Sequence, residues 1–219
     1  MQYLDVANPG VKTLAPYQAG KPIEELEREL GITNIIKLAS NENPFGFPQS
    51  AKEAITRQLD HLTRYPDANG FELKRCIAEK YGLAPNQITL GNGSNDLLEL
   101  FAHTFAAEGD EVIFSQYAFI VYPLVSKAIN AVAREIPAKN WGHGNFLTHQ
   151  ELDDFLAQVP ANVIIVLDEA YTEFTAPAER VDSFALLQKY PNLIVSRSLS
   201  KAYGLAGLRI GYAVSNPEI

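Results

Sequence analysis

A short segment near the end of the chain combines residue types that could bond covalently to a carbonyl and bind a phosphate. The apolar run Leu193–Val195 is followed by Ser198, Ser200, Lys201 and, eight positions later, Arg209. A lysine amine forms a Schiff base with a carbonyl, and its pKa falls when it is partly buried near another cation. Serine hydroxyls and a guanidinium are good donors to a phosphate dianion. The pattern predicts a Schiff base with a phosphorylated aldehyde; the alternative is a serine-capped helix start with a solvated lysine.

The composition restricts the class of partner and the compartment. The chain has 219 residues, 47% of them hydrophobic, which is enough for one large domain or two small ones. Its net charge of −8 and its scattered basic residues disfavour binding to nucleic acid or anionic membranes. The only cysteine, Cys76, excludes an internal disulfide, and the four histidines lack the spacing of metal ligands. We expect a cytoplasmic protein that binds small molecules, without a membrane span or metal site.

From Pro85 onward, predicted strands alternate with predicted helices. This alternation favours an α/β fold with a mostly parallel sheet between two layers of helices. The strands are predicted at residues 88–90, 111–115, 131–136, 163–167, 193–195 and 209–214. One more strand is predicted at Ile35–Ser40, before the loop NENPFGFP.

Polar residues follow four of these predicted strands. They lie in the segments Gly91–Asn95, Gln116–Tyr117, Asp168–Tyr171 and Ser198–Lys201. Ligands of open α/β sheets bind beyond the carboxyl ends of the strands, and small-molecule sites need only a few convergent polar groups. We therefore expect these segments to form one site.

Asp168 and two tyrosines suit a pyridine ring. Asp168 ends an apolar strand, where burial is costly unless the carboxylate meets a cation or donor such as a protonated pyridine nitrogen. Tyr171 could donate to a ring oxygen, and Tyr117 could stack on the ring face. The alternatives are a helix-capping aspartate, a half-buried tyrosine and a core tyrosine.

The segment GNGSND suits a compact anion site. Gly91 and Gly93 leave room for the first amides of the next helix to face a phosphate. A dinucleotide fingerprint needs a third glycine, where the chain has Asp96. The segment therefore predicts a phosphate site and not a dinucleotide site.

Five segments between Leu38 and Tyr212 carry a resemblance to a known family. They are LASNENPFGFP, RYPDANGFELKRCIAEKYG, ITLGNGSNDLLEL, VLDEAYTEF and SRSLSKAYGLAGLRIGY. The chain resembles the fold type I pyridoxal-phosphate aminotransferases, most closely the histidinol-phosphate aminotransferase family. The most specific of the five segments is the last, with its serines, lysine, glycines and arginine.

This resemblance implies a role for each matching residue. Lys201 would form the Schiff base and transfer protons, Asp168 would contact the pyridine nitrogen, and Tyr171 the ring oxygen, while Tyr117 would stack on the ring. The residues expected at the cofactor phosphate are Ser94, Asn95, Ser198, Ser200 and Arg209. Tyr65 is expected to reach the phosphate of a second subunit's cofactor in a homodimer, and Tyr17 and Asn43 are expected to lie toward the substrate.

The resemblance also implies a reaction. L-Histidinol phosphate and 2-oxoglutarate would exchange an amino group to give imidazole-acetol phosphate and L-glutamate, as a step of histidine biosynthesis. The alternatives are a related enzyme, namely a threonine-phosphate decarboxylase or an aromatic aminotransferase, and a non-catalytic remnant of the fold.

Two departures from the family pattern concern the domains. Between Ile136 and Thr148 the chain has only a short loop, so an interior strand and its asparagine are expected to be missing, with a deletion near Gly144–Asn145. The small domain of the family that follows the large one is expected to be missing after Ile219. The expected division is an N-terminal arm with the first small-domain elements at 1–43, a helical lead-in at 44–84, and an incomplete cofactor-binding large domain at 85–219.

Overall fold

A computed structural model describes residues 3–15, 20–138 and 147–219. The helices are α1 (Ile23–Leu30), α2 (Gln49–Gln58), α3 (Phe71–Tyr81), α4 (Ser94–Phe105), α5 (Val121–Ala128), α6 (His149–Leu156) and α7 (Ser183–Leu186). The strands are β1 (Ile88–Gly91), β2 (Glu111–Ser115), β3 (Val132–Ile136), β4 (Ile165–Asp168), β5 (Leu193–Ser198) and β6 (Gly211–Val214). Tyr17 and the junction at Gly144–Asn145 lie outside the described residues.

The strands form two separate sheets. The larger sheet has the order β1-β6-β5-β4, in which β4 and β5 are parallel and β6 is antiparallel to both of its neighbours. The smaller sheet is the parallel pair of β2 and β3. Within the described ranges no strand joins β4 to β2. The sheet is thus split at the place where an interior strand is expected to be missing.

Helices cover both faces of the larger sheet. On one face α3, α6 and α7 pack against alternate strand residues, and Leu156, Leu193 and Val195 belong to this core. On the other face Leu97 of α4 contacts the intervening residues Ile194 and Ala213. Successive strand residues point to opposite faces, so an apolar run such as LIV can supply both cores. The three-layer α/β architecture predicted from the sequence is therefore confirmed.

Helix α6 begins as predicted. The Thr148 hydroxyl accepts a hydrogen bond from the Glu151 amide at 3.2 Å, and the Glu151 carboxylate accepts one from the Thr148 amide at 2.9 Å. This reciprocal capping box satisfies amides that the first turn of a helix leaves without partners. Further along α6, the Asp153 carboxylate accepts hydrogen bonds from the side chains of Lys189 and Tyr190, which follow α7.

Two strand predictions need correction. Residues 35–40 are not a strand: they have no pairing partner, and the positive φ of +70° at Ser40 interrupts an extended course. Strand β5 does not end at Val195 as predicted but continues to Ser198, so Ser196 and Ser198 lie inside a buried strand. They remain paired because β4 and β6 both extend alongside them, with Asp168 opposite Ser196 and Gly211 opposite Ser198.

The N-terminal part of the described chain contributes little to the core. The first buried residue along the described chain is Ile77, and neither α1 nor α2 contains a buried residue. The exposed large apolar side chains between α1 and α3 are Leu30, Ile32, Ile36, Leu38, Phe45, Phe47, Leu59, Leu62, Tyr65 and Phe71. We call these ten residues the N-terminal apolar surface. Large apolar side chains that are exposed to water are candidates for contact with a partner.

Candidate active site

A cavity of about 480 Å³ lies beyond the carboxyl ends of β4 and β5. The loop before α2, the first turn of α4 and the loop after β5 complete its wall. The lining residues are Ser40, Glu42, Ser94, Asn95, Phe119, Asp168, Ala170, Tyr171, Ser198, Ser200, Lys201, Ala206, Gly207 and Arg209. Eight of the twelve predicted site residues are therefore brought together: Ser94, Asn95, Asp168, Tyr171, Ser198, Ser200, Lys201 and Arg209.

Three donors hold the carboxylate of Asp168 at the end of β4. The Oδ1 atom accepts hydrogen bonds from the Ser196 hydroxyl at 3.1 Å and the Ala170 amide at 3.3 Å. The Oδ2 atom accepts a shorter one, 2.6 Å, from the hydroxyl of Tyr122. Burial raises the pKa of Tyr122, and the negative charge of Asp168 raises it further, so this hydroxyl stays protonated and donates.

Lys201 is held by the loop before α2. Its Nζ atom donates to the carbonyl oxygen of Ser40 at 2.9 Å and lies 5.7 Å from the centroid of the Tyr171 ring. The Asn41 amide donates to the Tyr171 hydroxyl at 2.9 Å. The loop and the two predicted cofactor residues therefore form one connected group.

Asn43 stabilises the backbone that carries the lysine. Its side-chain amide donates to the carbonyl oxygens of Lys201 at 3.2 Å and Ala202 at 3.1 Å. These contacts place Asn43 beside the site, although it is not among the cavity-lining residues. Its expected role toward the substrate stays a prediction.

The first turn of α4 and Arg209 form a corner suited to an anion. Among the described residues, the guanidinium of Arg209 makes two long hydrogen bonds, 3.3 Å to the Ala206 carbonyl and 3.4 Å to the Asn92 carbonyl. A guanidinium has five N–H donors, so several remain for a ligand. Helix α4 has twelve residues, and its N-terminal amides and dipole favour a phosphate at the same place.

Two glycines make this corner possible. A Cβ atom on Gly93 would lie 2.3 Å from Nη2 of Arg209, and one on Gly211 would lie 2.7 Å from the amide nitrogen of Ser94. Gly93 also has a φ of +88°, which other residues rarely adopt. The absence of side chains therefore lets the guanidinium and the helix amide approach one anion site.

A buried ion pair lies behind the cavity. Nε and Nη2 of Arg197 donate to Oε2 of Glu169 at 3.0 and 2.8 Å, and the Ser183 hydroxyl donates to the same oxygen at 2.9 Å. The guanidinium also lies over the Phe184 ring, 4.1 Å from its centroid. Burial raises the pKa of Glu169, while Arg197 acts in the opposite direction. The pair fixes β4 to β5 next to Asp168.

Three predicted site residues lie elsewhere or outside the described chain. Tyr117 has a φ of +62° and an exposed ring, and it is not among the cavity-lining residues. Tyr65 is fully exposed on the N-terminal apolar surface. Tyr17 lies outside the described residues. Their proposed roles at the ring, at a partner's phosphate and at the substrate therefore stay predictions.

The geometry can be compared with known proteins. The model of the family described as aminotransferase class I and II matches residues 33–143 and 142–219, which is most of the sequence. The chain belongs to the class I and II aminotransferases. The family match is divided at residues 142–143, within the connection between β3 and α6.

Two curated relatives within this aminotransferase family are close in sequence. The chain is 73% identical to histidinol-phosphate aminotransferase 2 of Haemophilus influenzae (strain 86-028NP), with 100% of this chain and 67% of the relative covered. It is 70% identical to histidinol-phosphate aminotransferase 1 of Mannheimia succiniciproducens, with the same coverage. The chain thus spans about two thirds of the length of these relatives.

A solved structure supports the fold. Histidinol-phosphate aminotransferase from Sinorhizobium meliloti, in complex with pyridoxal-5′-phosphate, matches with a TM-score of 0.85 and 26% identity over 96% of this chain and 63% of that one.

The alignment with the Haemophilus influenzae relative also shows an internal difference. The 219 residues of this chain align over 244 positions, so about 25 of those positions have no residue here. An internal shortening is therefore confirmed. Its place in the family match, between β3 and α6, agrees with the split between the two sheets.

Two contributors to the site were not predicted from the sequence. Tyr122 binds Asp168 from α5, and the carbonyl of Ser40 binds Lys201. A tyrosine in the first turn of a helix gives no signal of a contact 46 residues away along the chain. A backbone carbonyl carries no sequence signal at all.

Proposed function

We propose that this chain forms the cofactor-binding part of a pyridoxal-phosphate aminotransferase that acts on L-histidinol phosphate. The reaction is transfer of the amino group to 2-oxoglutarate, which yields imidazole-acetol phosphate and L-glutamate in histidine biosynthesis. The observation that carries the proposal is that Lys201, Asp168 and Arg209 line one cavity. The names of the close relatives support the choice of substrate.

The residues present fit pyridoxal phosphate. Bound to an amino acid, this cofactor acts as an electron sink that makes the substrate α-proton acidic. Arg209, the first turn of α4 and the hydroxyls of Ser198 and Ser200 suit its phosphate. Asp168, already fixed by three donors, suits its ring nitrogen.

Lys201 is the group that would bind covalently and then move a proton. Its amine can attack the aldehyde only after leaving the carbonyl of Ser40. Once the substrate amine has displaced it from the cofactor, the amine of Lys201 would take the proton from the substrate α-carbon and pass it to the C4′ carbon of the cofactor. In the second half of the reaction Lys201 would move a proton in the opposite direction, from C4′ to the α-carbon. Asn43 would keep the lysine backbone in place during this exchange, because its side-chain amide donates to the backbone carbonyls of Lys201 and Ala202.

We further propose that two copies of the chain form the working unit. The support for this proposal is that the N-terminal apolar surface comprises ten exposed large apolar side chains, and that Tyr65 is one of them. In this arrangement Tyr65 reaches the phosphate of the partner's cofactor.

The compartment proposed is the cytoplasm, in keeping with the single exposed, unpaired Cys76. Within the described residues, no helix has the length and apolar character needed to cross a membrane.

The decisive experiment traps the cofactor on the lysine. The purified chain is mixed with pyridoxal phosphate, reduced with borohydride, digested and analysed by mass spectrometry. The expected result is one modified peptide, carrying the label on Lys201 and not on an exposed lysine such as Lys52. Label spread over surface lysines, or its absence from folded protein, would contradict the proposal and favour a non-catalytic remnant.

Substrate choice needs a second assay. Glutamate formation from 2-oxoglutarate is measured with L-histidinol phosphate and, for comparison, with aromatic amino acids, while carbon dioxide release is measured with threonine phosphate. We expect L-histidinol phosphate to be preferred. A higher rate with either alternative would reassign the substrate without affecting the cofactor site.

A further inference from the structure

Tyr122 contacts the site from outside the cavity. It lies in the first turn of α5, and its ring does not line the cavity, whereas its hydrogen-bond partner Asp168 does. The hydroxyl makes the shortest of the three hydrogen bonds to Asp168, 2.6 Å against 3.1 and 3.3 Å.

The ring of Tyr122 is fixed by its surroundings. Phe114 of β2 and Phe119 have ring centroids 6.3 and 6.4 Å away. The hydroxyl of Ser126, one turn later, donates to the Tyr122 carbonyl at 2.7 Å. Val121 and Val125 pack with Val166 of β4, so α5 is held against the strand that carries Asp168. The hydroxyl therefore approaches Asp168 from a defined direction.

The pattern of donors decides which part of the carboxylate is available. An ionised carboxylate offers about two acceptor positions on each oxygen. Ser196 and Ala170 use both positions on Oδ1, while Tyr122 uses one on Oδ2. One acceptor position on Oδ2 remains for a ligand in the cavity.

We propose that Tyr122 is a positioning residue that orients Asp168 so that one oxygen faces the ring nitrogen of the cofactor. This inference rests on the proposed function. Tyr122 acts through Asp168 and touches neither substrate nor cofactor. Its contribution should therefore concern the ring nitrogen alone, and should leave the phosphate corner and Lys201 unaffected.

The test compares two ligands in Tyr122→Phe. One ligand is pyridoxal phosphate, and the other is its carbocyclic analogue, in which a C–H group replaces the ring nitrogen. Loss of a hydrogen bond to a charged group predicts about tenfold weaker binding of pyridoxal phosphate. The analogue cannot bind Asp168 through nitrogen, so its dissociation constant should be unchanged. The ratio of the two constants is the readout, because a general loss of structure would weaken both equally.

The chain offers a matched control. Tyr190 donates a hydrogen bond of 2.7 Å to another aspartate, Asp153, in a part of the fold that does not line the cavity. Tyr190→Phe should leave both dissociation constants at the wild-type values. If Tyr122→Phe does not fold, as judged by circular dichroism, Tyr122→Met fills similar space without a hydroxyl and is tested in the same way.

The outcomes separate this inference from the proposed function. If Tyr122→Phe weakens the binding of pyridoxal phosphate but not that of the analogue, the role of Tyr122 is supported. An unchanged ratio, with the wild-type chain still trapping the cofactor on Lys201, overturns that role and leaves the proposed function standing. A wild-type chain that binds neither ligand overturns both.

Discussion

The amine of Lys201 donates a hydrogen bond of 2.9 Å to the carbonyl oxygen of Ser40, a residue 161 positions earlier in the chain. Ser40 and Asn41 both have positive φ angles, +70° and +50°. Non-glycine residues hold such angles only when other contacts compensate for the strain. The lysine is one of these contacts, so the loop conformation and the availability of the amine are linked.

The first prediction concerns this link. Lys201→Met removes the donor to Ser40 and should increase hydrogen exchange of the amides at residues 40–43, because the strained loop loses a contact. Mass spectrometry of the peptide that contains the loop measures the change. Lys52→Met, at an exposed position of α2, is the control and should have no effect there. Equal exchange in wild type and Lys201→Met would show that the loop is independent of the lysine.

The second prediction concerns the phosphate corner. Gly93→Ala would place a methyl group 2.3 Å from Nη2 of Arg209 and should displace the guanidinium. Loss of one charge-assisted hydrogen bond predicts about tenfold weaker binding of pyridoxal phosphate. Gly109→Ala is the matched control: its φ of +92° gives comparable backbone strain, but no atom lies within 4 Å of the added carbon. Similar affinities in the two variants would contradict this assignment of Arg209.

The third prediction concerns the buried ion pair. Glu169→Leu leaves the guanidinium of Arg197 buried without its partner, and should lower the free energy of unfolding by about 3–5 kcal/mol. The double variant Glu169→Leu/Arg197→Met removes both charges and should be less destabilised than the single one. Urea denaturation measures both values.

An exposed ion pair provides the comparison for the third prediction. Glu72 and Arg75 form an exposed ion pair on α3, and Glu72→Gln should leave the free energy of unfolding nearly unchanged. If the single buried variant is no less stable than the double one, the pair does not hold β4 to β5 as described.

The fourth prediction concerns the dependence of stability on pH. Hydrogen bonds from Lys189 and Tyr190 lower the pKa of Asp153. The unfolded chain therefore binds a proton at a higher pH than the folded chain. The stabilisation is fully present above the ordinary aspartate pKa, and it is lost as the pH falls through the lowered one. The difference in unfolding free energy between wild type and Asp153→Asn should thus shrink on acidification. A difference that grew in acid would contradict the described contacts.

The fifth prediction concerns the split sheet. Insertion of the roughly 25 residues that the Haemophilus influenzae relative has in excess, placed between 142 and 143, should raise the free energy of unfolding. The physical reason is that unpaired buried backbone groups cost about 1–3 kcal/mol each. A glycine–serine linker of equal length at the same place is the control. Equal stability of the two insertions would show that the edges of β2 and β4 need no partner.

The layers and the main site residues could be predicted because their signals are local. The apolar run VIIVL predicts a strand buried on both faces at 163–167; β4 spans Ile165–Asp168 and is only partly buried, and Val163 is exposed. At the end of β5 and after it, Ser198, Ser200, Lys201 and Arg209 lie within 12 residues of one another. Asp168 could be assigned to the same site as Lys201, because the carboxyl ends of parallel strands meet at one edge of a sheet.

Contacts between distant segments could not be predicted in this way. The hydroxyl of Tyr122 reaches Asp168 only because α5 packs on β4, and nothing in the sequence around position 122 fixes that packing. The length of β5 was underestimated because serine favours turns locally, whereas here its neighbours β4 and β6 keep Ser196 and Ser198 in a ladder. Pairing with two neighbouring strands thus outweighed the local preference of serine for turns.

The interruption between β4 and β2 also has a consequence for behaviour in solution. Each of these strands is hydrogen-bonded to a neighbouring strand on only one side within the described residues, and the face of β2 that carries Ile113 is exposed. Open strand edges with apolar side chains recruit strands from other molecules. At high protein concentration this chain should therefore form soluble aggregates or fibres through intermolecular strand pairing, and the same opening that weakens its fold would then limit its solubility.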